Sequence, residues 1–143
     1  MKNFKLELET AFTSNEETLN GVATINYVEI SGHTVAILGF YFKGLAEARV
    51  DFATFNSEGV ELPSDTQGNT FGVKDVMTIM HACKSMSQRL ISQHNPERIA
   101  YIGAEAKRFS LYQRMARKIG EGKKVWVEEE TLTVWLELFS EWE

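Results

Sequence analysis

A short glycine-containing stretch precedes the first strongly helical part of the chain. It reads QGNTFG and consists of Gln67, Gly68, Asn69, Thr70, Phe71 and Gly72. The first backbone N–H groups of a helix have no partners within the helix, and the helix dipole adds partial positive charge there. Glycines let an anion approach such a helix start, so this stretch is a candidate phosphate-binding turn. Asn69 and Thr70 are also ordinary N-cap residues, and a plain helix cap is the alternative.

Basic side chains are concentrated in one segment of the second half of the chain. Seven of the fifteen Lys and Arg residues lie between Ala106 and Lys124. The candidates for contact with phosphates or with a polyanionic partner are Arg108, Arg114, Arg117 and Lys118. A run of charges on a helix is also the ordinary composition of a solvated face. The net charge of −5 argues against bulk binding of nucleic acid, which depends on neutralising phosphates.

The cysteine and histidine residues do not indicate metal or disulfide chemistry. Cys83 is the only cysteine, which excludes an internal disulfide and a cysteine-based zinc site. Its position on an apolar helical pattern favours buried packing over a nucleophile. His33, His81 and His94 are far apart in the sequence, and none has metal-ligand spacing to another. We therefore expect no metal site.

The length and hydropathy of the chain predict a single cytoplasmic domain over residues 1–143. A chain of 143 residues is long enough to bury its own core. Hydrophobic residues make up 43%, and no apolar run approaches the roughly 18 residues that a membrane span needs. The first ten residues, MKNFKLELET, lack the apolar core of a signal peptide. We therefore expect no membrane association.

The first third of the chain has the composition of β-strands. Its predicted strands are Phe4–Phe12, Gly21–Ile30, His33–Phe42 and Glu47–Phe55, which alternate with period two or are rich in β-branched and aromatic residues. Ser31-Gly32 is a two-residue hairpin signal. In the fourth strand, Val50 and Phe52 are expected to face the core, with Ala53 or Phe55 as a further candidate. A turn over Asn56–Gly59 and a short strand at Val60–Leu62 complete a predicted antiparallel meander.

The rest of the chain combines helical and strand patterns. The first predicted helix runs from Val73 to about Gln93, with apolar residues three and four apart at Val73, Val76, Met77, Met80, Cys83, Met86 and Leu90. Asn95-Pro96 ends it, and RIAYIG (Arg98–Gly103) has the continuous apolar character of a buried central strand. The second predicted helix, Ala106–Gly120, carries Phe109, Tyr112, Met115 and Ile119 on one face, with Leu111 beside them.

Two further apolar segments, KKVWVEE and TLTVWLELF, predict a closing C-terminal hairpin. We expect Trp126 and Trp135 of this hairpin to pack between the sheet and a helix. The complete order of elements predicts an α/β (α+β) fold with two main helices and a mixed, mostly antiparallel sheet.

This order of elements, together with two motifs, resembles the GNAT acetyltransferase superfamily. The pyrophosphate loop of that family reads Gln or Arg, two residues, Gly, one residue, and then Gly or Ala. In QGNTFG the outer positions are Gln67 and Gly72, and Thr70 stands where the middle glycine belongs. The resemblance implies that the backbone N–H groups of this loop hold the pyrophosphate of acetyl-CoA.

The second motif lies in the second predicted helix. The family often has Asn, two residues, Ala, two residues and Leu-Tyr there. Leu111-Tyr112 matches, while Glu105 and Arg108 replace the Asn and the Ala. The resemblance implies that Tyr112 protonates the leaving thiolate and that Arg108 belongs to the coenzyme site. An aromatic residue on the core face of a helix is the alternative for Tyr112.

The family also places a catalytic carboxylate on the strand before the pyrophosphate loop. Glu61 is the best-placed candidate for this base, and Asp65 is the second. A solvated carboxylate near a turn is the alternative for both.

The resemblance extends to a compact subgroup of GNAT-like proteins found in small bacteriophage proteins. There, a turn with Thr and Gly precedes the helix and an Arg precedes Leu-Tyr, as in this chain. The two helices that usually follow the first strand and line the acceptor site are missing, because Thr13–Gly21 is too short for both.

The expected function is therefore acetyl-CoA-dependent N-acetyl transfer to an unknown acceptor, in the cytoplasm of a bacterial host. The alternative is a catalytically inactive GNAT-like phage scaffold that binds a host protein or a second copy of itself. The closing strands offer an edge that could pair across a homodimer.

Overall fold

Seven strands form one sheet, and two helices lie on it. The computed structural model describes residues 7–13, 20–62, 71–103, 106–120 and 124–138. The strands are β1 (Glu7–Thr13), β2 (Asn20–Ile30), β3 (His33–Phe42), β4 (Glu47–Phe55), β5 (Arg98–Ile102), β6 (Lys124–Glu128) and β7 (Thr133–Glu137). The helices are α1 (Val73–His94) and α2 (Ala106–Ile119).

The N-terminal part of the sheet is the predicted antiparallel meander. Strands β1 to β4 pair antiparallel with their neighbours in sequence order. Ser31 and Gly32 join β2 to β3 and have φ angles of 49° and 80°. Two successive residues with positive φ match the right-handed twist of a hairpin, so the predicted two-residue turn is confirmed. After β4, Glu61 forms an isolated bridge with Phe55, where the sequence predicted a short strand.

The second half of the chain adds a parallel pair and a hairpin to the meander. The strand order is β1-β2-β3-β4-β5-β7-β6, and β4 pairs with β5 in parallel. Strand β7 pairs antiparallel with β5 and with β6. Helix α1 ends at the Asn95-Pro96 pair, as predicted, and Asn95 itself has the left-handed conformation. The prediction of an α+β fold with a mixed, mostly antiparallel sheet and a closing hairpin is therefore confirmed.

The core lies between the two helices and one face of the sheet. From Ala48 onward the buried side chains of β4 alternate and are Ala48, Val50, Phe52 and Thr54. Helix α1 crosses β3 so closely that a Cβ on Gly39 would lie 2.5 Å from the Met86 sulfur. Helix α2 contributes Tyr112, Met115 and Ala116 to the same core cluster. The two helices therefore cover the same face, which we call the helix face.

The opposite sheet face, here called the open face, carries the tryptophans of the closing hairpin. The prediction that Trp126 and Trp135 pack under a helix is wrong, because Val125 and Leu136 occupy the helix-face positions of β6 and β7. The two indole rings stack on the open face with centroids 5.5 Å apart. Their N–H groups donate to carboxylates of the same hairpin.

Two apolar positions of α1 also differ from the sequence pattern. Val73 and Met77 are 79% and 66% exposed. The apolar spacing grouped them with the buried Cys83, Met86 and Leu90. The buried residues of α1 include Ile79, which that spacing left out. In the described residues, neither helix has the length and apolar character needed to cross a membrane.

Candidate functional site

The parallel strands β4 and β5 separate at their carboxyl ends. Their pairing runs from Glu47 with Arg98 to Val50 with Tyr101, whereas β4 itself continues to Phe55. Both helices begin at this end of the sheet, because each follows one of the two parallel strands. Crevices outside the carboxyl ends of parallel strands are frequent ligand sites in α/β proteins. The opening between β4 and β5 is therefore the first place to look for chemistry.

Asp51 is the first residue of β4 beyond the parallel pairing. Its Oδ1 accepts three hydrogen bonds: from the backbone N–H of Phe52 at 2.8 Å, from Nη1 of Arg108 at 3.1 Å and from the hydroxyl of Tyr112 at 3.1 Å. Strand alternation assigns Asp51 to the open face, since Val50 and Phe52 point to the helix face. The carboxylate can still contact α2, because the pairing of β4 with β5 ends at Val50 and no residue of β5 is paired with Asp51. We call Asp51, Arg108 and Tyr112 the Asp51 cluster.

Arg108 and Tyr112 are the buried members of the Asp51 cluster. The Arg108 side chain is 5% exposed, against 43% for Asp51. Its guanidinium carbon lies 3.9 Å from the centre of the Phe52 ring, and Nη1 also donates to the Phe52 carbonyl at 3.3 Å. Tyr112 is fully buried, with its ring edge-on to Phe52. Asp51 is therefore the most exposed member of the cluster.

The environment changes the proton affinity of two groups in the cluster. Burial raises the pKa of Asp51 above its ordinary value, although the Phe52 N–H, the Arg108 charge and the Tyr112 hydroxyl act in the opposite direction. Burial also raises the pKa of Tyr112 well above 10, and negative charge on Cys83 and on Asp51 adds to the effect. Tyr112 thus keeps its proton at neutral pH and donates it in a hydrogen bond, while Asp51 is a stronger base than a solvated aspartate.

A groove between α1 and α2 opens near the same end of the sheet. It has a volume of about 670 Å³ and starts at Phe71 and Gly72, directly before α1. Its apolar walls include the exposed Val73 and Met77, with Val76, Met80, Leu111 and Met115. Basic side chains at its edge are His81, Lys84, Arg114 and Lys118. We call this the α1–α2 groove.

The start of α1 lies at the groove, since Phe71, Gly72 and Val73 all line it. Gly72 is the N-cap and provides no side-chain hydrogen bond to the first turn. A Cβ at Gly72 would meet no atom of the described residues within 4 Å. The acidic residue of the first turn, Asp75, accepts a hydrogen bond from the Ser31 hydroxyl at 2.7 Å and is not a groove residue. An anion could therefore reach the positive end of the α1 dipole from the groove.

The structure separates the site residues that the sequence predicted into three locations. Arg108 and Tyr112 come together on Asp51, whereas Phe71 and Gly72 lie at the entrance of the α1–α2 groove. Glu61 is exposed beyond the Asn56–Gly59 turn, on the segment that bridges to Phe55. The remaining predicted residues, Gln67, Gly68, Asn69, Thr70 and Asp65, lie outside the described residues.

Sequence reasoning missed Asp51. A carboxylate in ARVDFATF alternates with buried residues, so it has the pattern of an ordinary solvent-facing strand residue. The available signal was the difference in length between the two parallel strands: EARVDFATF has nine residues and RIAYI has five. Such a mismatch leaves the end of the longer strand without a partner, and Asp51 lies where that begins.

Comparison with known proteins adds no relative to this description. The chain matches no protein-family model, no curated protein and no solved structure. In the part of the chain that is described, no three His, Cys, Asp or Glu side chains converge to hold a metal ion. The chemistry assigned to the Asp51 cluster and to the α1–α2 groove therefore depends on their geometry.

Proposed function

We propose that the protein binds acetyl-CoA in the α1–α2 groove and transfers the acetyl group to an amine. The observation that carries the proposal is the groove itself. It joins the N-terminus of α1 to an apolar cleft edged by Lys84, Arg114 and Lys118. Coenzyme A combines several phosphates with a nucleoside and an extended chain, and so requires both cations and apolar surface. The volume of about 670 Å³ lies within the usual range for small-molecule sites.

In this proposal exposed basic residues of α2 bind the phosphates, whereas the buried Arg108 does not contact the ligand. Arg114 and Lys118 are exposed on α2, one turn apart, and face the groove. Arg108 is committed to Asp51 and to the Phe52 carbonyl. We therefore assign phosphate binding to Arg114 and Lys118, and we assign to Arg108 the positioning of Asp51.

Asp51 is the proposed base for the transfer step. The amine nitrogen forms a bond to the thioester carbonyl carbon, the carbon–sulfur bond breaks, and the sulfur leaves as a thiolate. The proton lost by the nitrogen goes to the Asp51 carboxylate, and the thiolate takes a proton from solvent. The raised pKa of Asp51 suits a proton acceptor. Tyr112 holds Asp51 through its hydroxyl, and to protonate the thiolate itself Tyr112 would first have to break that hydrogen bond.

Calorimetric titration with acetyl-CoA tests the binding step. We expect micromolar affinity for the unchanged protein and a loss of about tenfold or more in the double variant Arg114→Gln, Lys118→Gln, because two phosphate contacts are removed. Arg117→Gln is the matched control, since Arg117 is exposed on the same helix but does not line the groove. Absence of binding at millimolar acetyl-CoA, or equal affinity in the double variant, would rule the proposal out.

A second candidate function is favoured by the open face of the sheet. Neither helix covers it, and it carries the stacked Trp126–Trp135 pair and the neighbouring rings of Phe40 and Phe42, whose centroids are 6.5 Å apart. Trp126 is exposed there, and exposed aromatic residues are typical of protein interfaces. A GNAT-like phage scaffold that binds a protein partner would use this face without needing coenzyme A. Failure of acetyl-CoA to bind would therefore leave this candidate as the preferred one.

A further inference from the structure

A second cavity lies on the open face, beside the carboxyl end of β4. Its volume is about 510 Å³, and its walls include Tyr27 and Glu29 of β2, Thr34 of β3 and Phe55 of β4. Residues of two neighbouring turns, including Gly32 and Gly59, complete its lining. The strand register places these four side chains on the same sheet face, opposite the helices. We call it the open-face pocket; it shares no lining residue with the α1–α2 groove.

The side chains of the open-face pocket suit an organic cation. Tyr27 and Phe55 are half-buried and offer aromatic rings, which attract ammonium and guanidinium groups through their quadrupoles. Glu29 adds a carboxylate, which the Thr34 hydroxyl holds in place by a hydrogen bond to Oε1 at 2.5 Å. Among the described residues that line the pocket, none is Lys or Arg. A cation would therefore meet two rings and one negative charge, with no cationic lining residue opposing it.

The pocket and the proposed base lie on the same strand and the same face. Phe55 follows Asp51 by four residues, which corresponds to about 14 Å at about 3.4 Å per residue. Between them the open face is lined by small or apolar side chains such as Ala53 and Ala36, which register places side by side. Because the Asp51 side chain is 43% exposed, a second substrate that lies along this face can reach its carboxylate.

We propose that the open-face pocket binds an ammonium or guanidinium group of the acceptor whose amine is acetylated at Asp51. The acceptor role rests on the proposed function, whereas cation binding by the pocket does not. The distance requires an acceptor with a second cationic group about 14 Å from the reacting nitrogen. A basic side chain four residues along an extended peptide meets this requirement, and so does a long polyamine. The missing acceptor helices are then unnecessary, because the sheet face itself presents the acceptor.

Amide chemical shifts of the coenzyme-free protein test the pocket directly. The probes are spermidine and a short peptide with Lys and Arg four residues apart, at millimolar concentration. We expect the backbone amide signals of Gly32, Ser57 and Gly59 to shift with either probe. Glu29→Gln and Tyr27→Leu should each weaken this binding by about tenfold, whereas Tyr27→Phe, which keeps the ring, should not. Glu58→Gln is the matched control. Glu58 is an exposed carboxylate between the pocket residues Ser57 and Gly59, but it does not itself line the pocket.

The outcomes separate this inference from the proposed function. Stronger binding of the peptide identifies a protein side chain as the source of the cation, and stronger binding of spermidine identifies a free polyamine; both support the pocket. The pocket proposal would be overturned, even if acetyl-CoA binds, by the absence of amide shifts. It would also be overturned if Glu58→Gln and Glu29→Gln weakened binding of the cationic probes equally. Cation binding without acetyl-CoA binding would uphold the pocket and remove only its acceptor role.

Discussion

The Asp51 cluster and the α1–α2 groove use basic residues of the same helix in opposite ways. Arg108, in the first turn of α2, is buried under Phe52 and bonded to Asp51. Arg114 and Lys118, about two and three turns further, are exposed beside an apolar cleft. A buried cation with a carboxylate partner fixes the position of that carboxylate, whereas an exposed cation beside a cleft can meet a ligand. Helix position, rather than residue type, decides whether a basic residue is buried against a carboxylate or exposed beside the groove.

The largest expected effect comes from removing the buried cation. Arg108→Ala leaves Asp51 without its counter-charge and removes the contact with the Phe52 ring. We expect the free energy of unfolding to fall by about 3 kcal/mol, at the low end for a broken buried pair because Asp51 is half exposed. Urea denaturation monitored by circular dichroism measures the change.

Arg117→Ala is the control for Arg108→Ala on the same helix. Arg117 is exposed, so its loss should change the unfolding free energy by less than about 0.5 kcal/mol. If both variants lower the unfolding free energy by the same amount, the Asp51 cluster does not hold α2 on β4. The distinction between the cluster and the groove then disappears.

A smaller effect concerns how stability depends on pH. The pKa of Asp51 is higher in the folded protein than in the unfolded chain, so the folded state binds more protons between the two values. Stability from this group is therefore fully present below the unfolded pKa, near 3.8, and is lost as the pH rises through the folded pKa. Relative to Asp51→Asn, the unchanged protein should gain stability as the pH falls from neutral toward 3.8.

Thermal or urea unfolding of the unchanged protein and of Asp51→Asn across that pH range measures the difference in their unfolding free energies. The contributions of the other carboxylates are the same in both proteins and cancel in this difference. Because Asp51 is half exposed, we expect a smaller effect than for Arg108→Ala. A difference that grows with rising pH would show that the Arg108 charge outweighs the burial of Asp51. The carboxylate would then be a weaker base than we propose.

Local patterns in the sequence were sufficient for most of the fold. The boundaries of β3 and β4 and the Ser31-Gly32 turn follow from alternation and turn chemistry, which depend on adjacent residues. Helix α1 followed from apolar spacing, but the exposure of Val73 and Met77 did not. Spacing places a residue on a helix face, whereas the position of the neighbouring helix decides whether that face is covered.

The candidate site depended on contacts that local patterns do not contain. Asp51 and Tyr112 are 61 positions apart in the sequence. They meet because β4 extends beyond its pairing with β5, near the start of α2. The resemblance drew attention to Tyr112 and Arg108 but gave no carboxylate for them to hold, and Glu61 lies elsewhere. Long-range polar contacts of this kind require the order and register of the strands.

The smallest expected change in stability occurs at the entrance of the groove. Gly72 has φ −75° and ψ 177°, an extended conformation that any residue adopts, and a Cβ there would meet no atom of the described residues within 4 Å. Gly72→Asp supplies the missing N-cap side chain and should raise the unfolding free energy by roughly 0.3 kcal/mol. The same carboxylate would occupy the positive end of α1 and repel phosphate, so we expect affinity for acetyl-CoA to fall by about tenfold.

Gly72→Ser separates charge from capping in this test. Serine caps the helix as well as aspartate does but adds no negative charge, so stability should rise while acetyl-CoA affinity changes little. Opposite signs for stability and affinity in the aspartate variant alone would place a phosphate at the start of α1, in addition to those bound by Arg114 and Lys118. Equal affinity in all three proteins would leave the phosphates to Arg114 and Lys118, because an anion bound there lies beyond the first turn, where the helix dipole no longer acts.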